Sequence, residues 1–111
     1  MSCIDILYNV NEIIVEPGLE CSYRKFSFEL NNYLLEKYGE YYLGLQLYES
    51  DEDPIYFYVV AAYENKCGLD CIIGHIQDDI SNIYDWKWGN TVIRNSVFSF
   101  TTATRVIPPL C

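Results

Sequence analysis

The chain has 111 residues, of which half are hydrophobic, and its 16 acidic residues outnumber its 7 basic ones. The formal net charge of -9 argues against binding of nucleic acid or of an anionic membrane through a basic patch, because an acidic chain repels phosphate groups. The longest apolar run, Ile55 to Tyr63, is too short to cross a bilayer as a helix, which takes about 20 residues. We therefore expect one soluble globular domain over residues 1–111.

The cysteines point to a reducing compartment. There are five of them, an odd number with no disulfide-framework spacing. The first residues also lack the basic and then apolar pattern of a signal peptide. We therefore predict a cytoplasmic protein with free thiols at Cys3, Cys21, Cys67, Cys71 and Cys111.

The first third of the chain predicts two strands and a helix. Cys3 to Val10 alternates as a strand does, and residues 13–15 form a second short strand before the turn at Pro17-Gly18. A helix is expected from an N-cap at Ser22, with Gly39 as a left-handed residue at its end. Its buried stripe has 3–4 spacing and consists of Tyr23, Phe26, Leu30, Tyr33, Leu34 and Tyr38.

A hairpin follows, with strands at Tyr41–Glu49 and Ile55–Tyr63 joined by an acidic loop over residues 50–54. The second strand is apolar on both faces, which is typical of a central strand covered by a helix. Strict alternation places four tyrosines on the outer face of the hairpin: Tyr42, Tyr48, Tyr56 and Tyr58.

The last third predicts a second helix and a long extended segment. Residues 69–84 carry a helical stripe, although Gly74 leaves a break in it open. Thr91 to Ile107 is rich in β-branched residues and reads as one long strand or two short ones. The predicted fold class is α+β, a mainly antiparallel sheet of about four to six strands with two helices packed on it.

A repeat of potential ligands occurs at four-residue steps through Cys67, Cys71, His75 and Asp79. On a helix, positions eight apart are separated by about 12 Å, too far for both to touch one metal ion. We therefore expect no metal and no cofactor. Cys71 activated by His75 is kept as a third functional hypothesis, a thiol enzyme, although a mid-helix site lacks free N–H groups for an oxyanion.

The leading hypothesis is a non-catalytic inhibitor that binds a basic protein partner and blocks its active site, as immunity proteins and antitoxins do with nuclease toxins. The chain resembles such proteins in its size, acidity and aromatic content alone. The alternative is a phage or viral anti-defence protein that mimics nucleic acid. The expected contact residues combine aromatic anchors with carboxylates: Tyr42, Tyr48, Tyr56, Tyr58, Trp86, Trp88, Asp51, Glu52, Asp53, Asp78, Asp79 and Asp85.

Overall fold

The computed structural model describes the backbone of residues 3–105 and the side chains of residues 5–100. The described chain forms six elements in the order β1 (Cys3–Val15), α1 (Glu20–Tyr38), β2 (Tyr42–Glu49), β3 (Tyr56–Glu64), α2 (Leu69–Lys87) and β4 (Val92–Arg105). The strands form one sheet in the order β2-β3-β1-β4, and all neighbours are antiparallel. This arrangement is ferredoxin-like and confirms the predicted α+β class.

Strand β1 runs without interruption, so the expected division between Val10 and Ile13 is wrong. The intervening polar residues are held by the ladder, since Glu12 is paired with Tyr58 of β3 and with Asn95 of β4. Strand β3 lies between β2 and β1, which confirms that the second hairpin strand is central. Strand β4 is one long strand, and the predicted end at residue 107 lies outside the described residues.

Both predicted ends of the first helix differ from the structure. Helix α1 begins at Glu20, before the predicted cap at Ser22, because the turn at Gly18, with a φ of 99°, leads directly into it. The Gly18 N–H donates to Glu20 Oε1 at 2.7 Å and secures this entry. Gly39 has a right-handed φ of -61°, and the chain turns instead through a hydrogen bond from Tyr41 N–H to Tyr38 O.

An extra residue in β2 reverses the predicted orientation of Tyr42. Tyr42 is paired with Tyr63 and Gly44 with Ala62, so Leu43 is accommodated as a bulge. Gly44 has a φ of +131°, a conformation that L-residues rarely adopt. Because the bulge shifts the alternation by one residue, Tyr42 points into the core and is 1% exposed.

The two helices cover one face of the sheet. Helix α2 is continuous through Gly74, so no break occurs there, and it buries Leu69, Ile76, Ile80 and Tyr84. Helix α1 is also tied to the edge strand β2. The Asn31 side-chain oxygen accepts hydrogen bonds from the Tyr42 hydroxyl at 2.8 Å and from the Leu45 N–H at 3.0 Å.

A polar contact joins the helices to each other. Asp79 Oδ2 accepts hydrogen bonds from the Tyr33 and Tyr38 hydroxyls at 2.8 Å each and from Lys37 Nζ at 3.1 Å. Burial opposes the charge of Asp79, but these three donors outweigh it and lower the pKa of the carboxyl group. Asp79 therefore stabilises the helix pair, and its carboxylate is already engaged.

Substitution by alanine should change the free energy of unfolding in opposite directions at two glycines. We expect Gly44→Ala to lower the free energy of unfolding by about 1–3 kcal/mol, since its positive φ strains a side chain. Gly74→Ala serves as the matched control, because a Cβ there meets nothing within 4 Å in a helix interior. It should stabilise the protein by about 0.5–1 kcal/mol. Urea unfolding measures both, and a neutral Gly44→Ala would contradict the bulge.

The Asp79 contact should make part of the stability pH-dependent. Asp79→Asn should cost about 1–2 kcal/mol at pH 7, because it removes charge-assisted hydrogen bonds. Since the folded pKa lies below the ordinary value of 3.8, this contribution is complete above that value and is lost as the pH falls through the folded pKa. Urea unfolding of both proteins from pH 7 to pH 2.5 tests this. Asp78→Asn, an exposed neighbour, should have little effect at any pH.

Candidate ligand-binding site

An aromatic cluster fixes the helices above the sheet. Tyr23 is fully buried, and its hydroxyl is hydrogen-bonded to that of Tyr84 at 2.7 Å. Its ring also lies 5.3 Å from Phe57 and 6.1 Å from Trp88, measured between centroids. Burial raises the pKa of both hydroxyls, so the pair stays neutral. The cluster holds the Tyr84 ring in one place beside β4.

Next to this cluster, a cavity of about 30 Å³ lies between the sheet and both helices. This volume holds two or three water molecules, at roughly 10–15 Å³ each. Its apolar walls come from both helices and three strands: Ile13, Leu30, Leu34, Leu45, Val59, Ala61 and Ile80. Its polar lining is unusual for a core and comprises Asn9, Asn11, Tyr42, Tyr63, Gln77, Tyr84 and Arg94.

Arg94 brings a positive charge to the cavity wall. It is partly buried, its guanidinium carbon lies 5.0 Å from the centroid of the Tyr84 ring, and Nη2 donates to Ser81 Oγ at 2.5 Å. Among the described residues, no carboxylate oxygen lies within the 4.0 Å of an ion pair with Arg94. Its guanidinium makes one hydrogen bond to a described side chain and therefore has donors left for an anion.

The neutral polar groups of the cavity add donors. Asn9 accepts a hydrogen bond from Ser99 at 3.1 Å, whereas the Asn11 amide, in a residue that is 8% exposed, keeps some accessible surface and has no hydrogen bond to another described side chain. Burial raises the pKa of Tyr63 to about 12, against the opposing charge of Arg94. The phenol is therefore protonated at neutral pH. The lining contains no carboxylate or imidazole, so the described residues place a cation and neutral donors there, and no base.

The hairpin tyrosines do not form one surface. Tyr42 lines the cavity, which corrects its predicted place on the outer face, and Tyr56 is partly buried. Tyr48 and Tyr58 are exposed on the outer face of the sheet, as predicted. That face also carries a stacked row of rings formed by Tyr8, Phe98 and Phe100.

Of the two tryptophans, one is exposed and the other is buried. Trp86 is 84% exposed, in agreement with a surface position. Trp88 is 8% exposed and packs edge-on against Phe26 at 5.3 Å, so its predicted surface role is wrong. The helix turns the side chain of Trp88 toward the sheet and that of Trp86 toward solvent. The buried Trp88 Nε1 has no hydrogen-bond partner in the described part of the chain.

The predicted acidic contacts lie in two regions. Asp51 and Glu52 are exposed in the hairpin loop, and Asp53 accepts a hydrogen bond from Ile55 N–H at 3.2 Å. On α2, Asp78 and Asp85 are exposed. The predicted binding of a basic protein through these groups stays a prediction.

The predicted thiol site is not assembled. Cys71 and His75 are both exposed on α2, away from the cavity, and no hydrogen bond joins them. Within residues 5–100, no three His, Cys, Asp or Glu side chains are grouped closely enough to hold a metal ion. Neither helix has an apolar stretch that could span a membrane.

Sequence reasoning missed Arg94 and Asn11. The sequence did contain a usable signal. Asn9 and Asn11 lie between Leu7 and Ile13 on one face of β1. Amides on a face that is otherwise apolar indicate a buried polar site. The separation of β1 into two short strands concealed this pattern. Nothing local distinguished Arg94 from an exposed strand residue.

The Asn11 amide should make the protein less stable than an apolar side chain at the same position would. Asn11→Leu should raise the free energy of unfolding by about 1 kcal/mol, because it replaces a polar side chain at a mostly buried position by an apolar one. Asn95→Leu, at an exposed position of β4, should leave the unfolding free energy within about 0.5 kcal/mol of the wild type. Thermal and urea unfolding test both variants. Destabilisation by Asn11→Leu would show that the amide supports the fold.

No protein-family model and no curated protein matches the chain. Several solved structures share its fold. One from Bordetella bronchiseptica, named "Putative antibiotic biosynthesis monooxygenase", has a TM-score of 0.63 at 15% identity over 91% of this chain and 98% of its own. A Nitrosomonas europaea protein of the same name has a TM-score of 0.60 at 9% identity, over 94% and 92%. A Pseudomonas aeruginosa protein gives 0.55 at 14% identity, over 96% and 97%.

These likenesses establish the fold and correct the functional prediction. The two proteins that are named by activity carry the name of an enzyme, which contradicts both a non-catalytic inhibitor and its anti-defence alternative. That prediction relied on net charge and aromatic content, which describe association and solubility and do not determine a fold.

Proposed function

We propose that the chain is a monooxygenase that binds a small, acidic aromatic molecule in the cavity beneath its helices. The observation that carries this proposal is Arg94, a partly buried guanidinium at the cavity wall without a carboxylate partner among the described residues. The names of the structural neighbours from Bordetella bronchiseptica and Nitrosomonas europaea support the choice of reaction.

Each group has a role that follows from its charge. Arg94 pairs with the oxygen anion of an ionised enol or phenol, and the Asn11 amide donates a second hydrogen bond to it. Tyr63 is neutral and supplies a further donor, and the apolar walls contact the part of the molecule that enters the cavity. Because the described lining has no base, the substrate must be acidic enough to lose its proton to solvent. The cavity must also widen, since it now has room for water alone.

The reaction class is direct oxygenation of a carbanion by dioxygen. Anthrone, a tricyclic ketone that enolises to a phenol, illustrates the balance. Its CH₂ carbon loses a proton to solvent, bonds to one oxygen atom and ends as a carbonyl group. The O–O bond breaks, and the second oxygen leaves as water with the two hydrogens. The products are anthraquinone and water, the carbon is oxidised by four electrons, and dioxygen is reduced by four.

We also propose a cytoplasmic location for this protein. Cys21, Cys67 and Cys71 are exposed free thiols, which persist where the environment is reducing.

Oxygen uptake tests the proposed function directly. The protein should consume dioxygen with anthrone faster than buffer does and should form anthraquinone in equal amount. Arg94→Gln should lower this rate by about 100-fold, because it removes a charged donor to the anion. Arg24→Gln is the matched control, since Arg24 is paired with Glu49 outside the cavity, and it should keep the wild-type rate.

Two results would refute the proposal. The wild-type protein could give no uptake above the buffer rate, or Arg94→Gln could retain the full rate. Circular dichroism of each variant separates a lost site from a lost fold.

A further inference from the structure

A second pocket lies on the outer side of Arg94, between α2 and β4. Its volume is about 320 Å³, roughly ten times that of the inner cavity, and it is lined by Ser81, Tyr84, Asp85, Gly89, Val92 and Arg94. Tyr84 and Arg94 line both spaces. Arg94 therefore lies at the boundary between a small cavity and a larger, more open pocket.

Two contacts with the described residues hold Arg94 at this boundary. The guanidinium is held by one hydrogen bond to Ser81 and by the face of the Tyr84 ring, with no ion pair to the described carboxylates. Asp85, which lines the same pocket, is thus beyond 4.0 Å from its nitrogen atoms. The outer pocket has a cation at its inner end and a separate carboxylate in its wall.

We infer that the outer pocket holds the outer part of the ligand and that Asp85 determines its specificity. This inference rests on the proposed function, in which Arg94 pairs with the acidic group of the ligand. The acidic group meets Arg94 at the inner end of the pocket, and the rest of the molecule extends outward from it, so that its far end meets the Asp85 carboxylate and the Ser81 hydroxyl. A neutral hydroxyl group can donate to Asp85, whereas a second negative charge is repelled. The preferred ligand is a monoanionic aromatic molecule with a hydroxyl group at its far end.

A matched pair of naphthalenes provides the probes. The first, 6-hydroxy-2-naphthoate, has one carboxylate and a distant hydroxyl, and the second, 2,6-naphthalenedicarboxylate, has a carboxylate at both ends. Fluorescence titration at low salt gives the Kd of each for the wild type. We expect the dicarboxylate to bind at least about fivefold more weakly, as one like-charge contact near the surface requires.

Asp85→Asn should remove this discrimination and bring the two Kd values within about twofold of each other. Asp78→Asn is the matched control, because it makes the same change in net charge on an exposed position of α2 that does not line the pocket. It should keep the wild-type ratio. An unchanged ratio in Asp85→Asn, an equal change in Asp78→Asn, or no binding of either probe to the wild type would overturn the inference.

Arg94→Gln separates this inference from the proposed function. Suppose that Arg94→Gln raises the Kd of both probes by about tenfold or more, while Asp85→Asn leaves the ratio of the two Kd values unchanged. The acidic group then binds at Arg94 as proposed, and the role of the outer pocket is refuted. If Arg94→Gln leaves both Kd values unchanged, Arg94 does not hold the acidic group and the proposed function fails.

Discussion

The phenol pair of Tyr23 and Tyr84 is the contact on which the rest of the structure depends. It joins α1 to α2 inside the core, where each hydroxyl satisfies the other at 2.7 Å. Loss of either partner would leave a buried hydroxyl unpaired, which costs about 1–3 kcal/mol. The pair also fixes the ring on which Arg94 lies, at 5.0 Å from its centroid. The position of the guanidinium, and with it the two pockets, follows from an interaction between the helices.

The core of this protein has an aromatic part and a polar part. Around Tyr23 it is aromatic and closely packed, whereas a short distance away the same sheet face carries Asn9, Asn11 and Arg94. Such groups reduce the apolar area that the helices can bury. A sheet face under no other constraint would carry valine and isoleucine there. If the proposed function is correct, this polar lining is the cost of a site that receives a charged ligand.

Much of the fold could be predicted from local patterns. The stripe through Tyr23 and Leu30 identified α1, and the apolar faces of β3 identified a central strand. Tyr42 and Gly39 were placed wrongly because a bulge and a helix end depend on pairing with residues distant in sequence. The place of Arg94 in the candidate site was beyond prediction for the same reason, since Arg94 becomes distinctive only when β4 pairs with β1 beneath α2, whereas Asn9 and Asn11 gave a signal in the sequence. Net charge could not reveal a cavity, because it averages over the whole surface.

The contact between Asn31 and the edge strand has a consequence for aggregation. The outer edge of β2 offers backbone groups with which a strand of another molecule could pair, and a chain that is half hydrophobic would be prone to such polymerisation. The Leu45 N–H is already bonded to a side chain of the same molecule, and the bulge beside Gly44 distorts the neighbouring segment. An incoming strand would have to break the hydrogen bond of the Leu45 N–H and straighten the bulge beside Gly44. One amide and one glycine thus protect this edge against fibril growth.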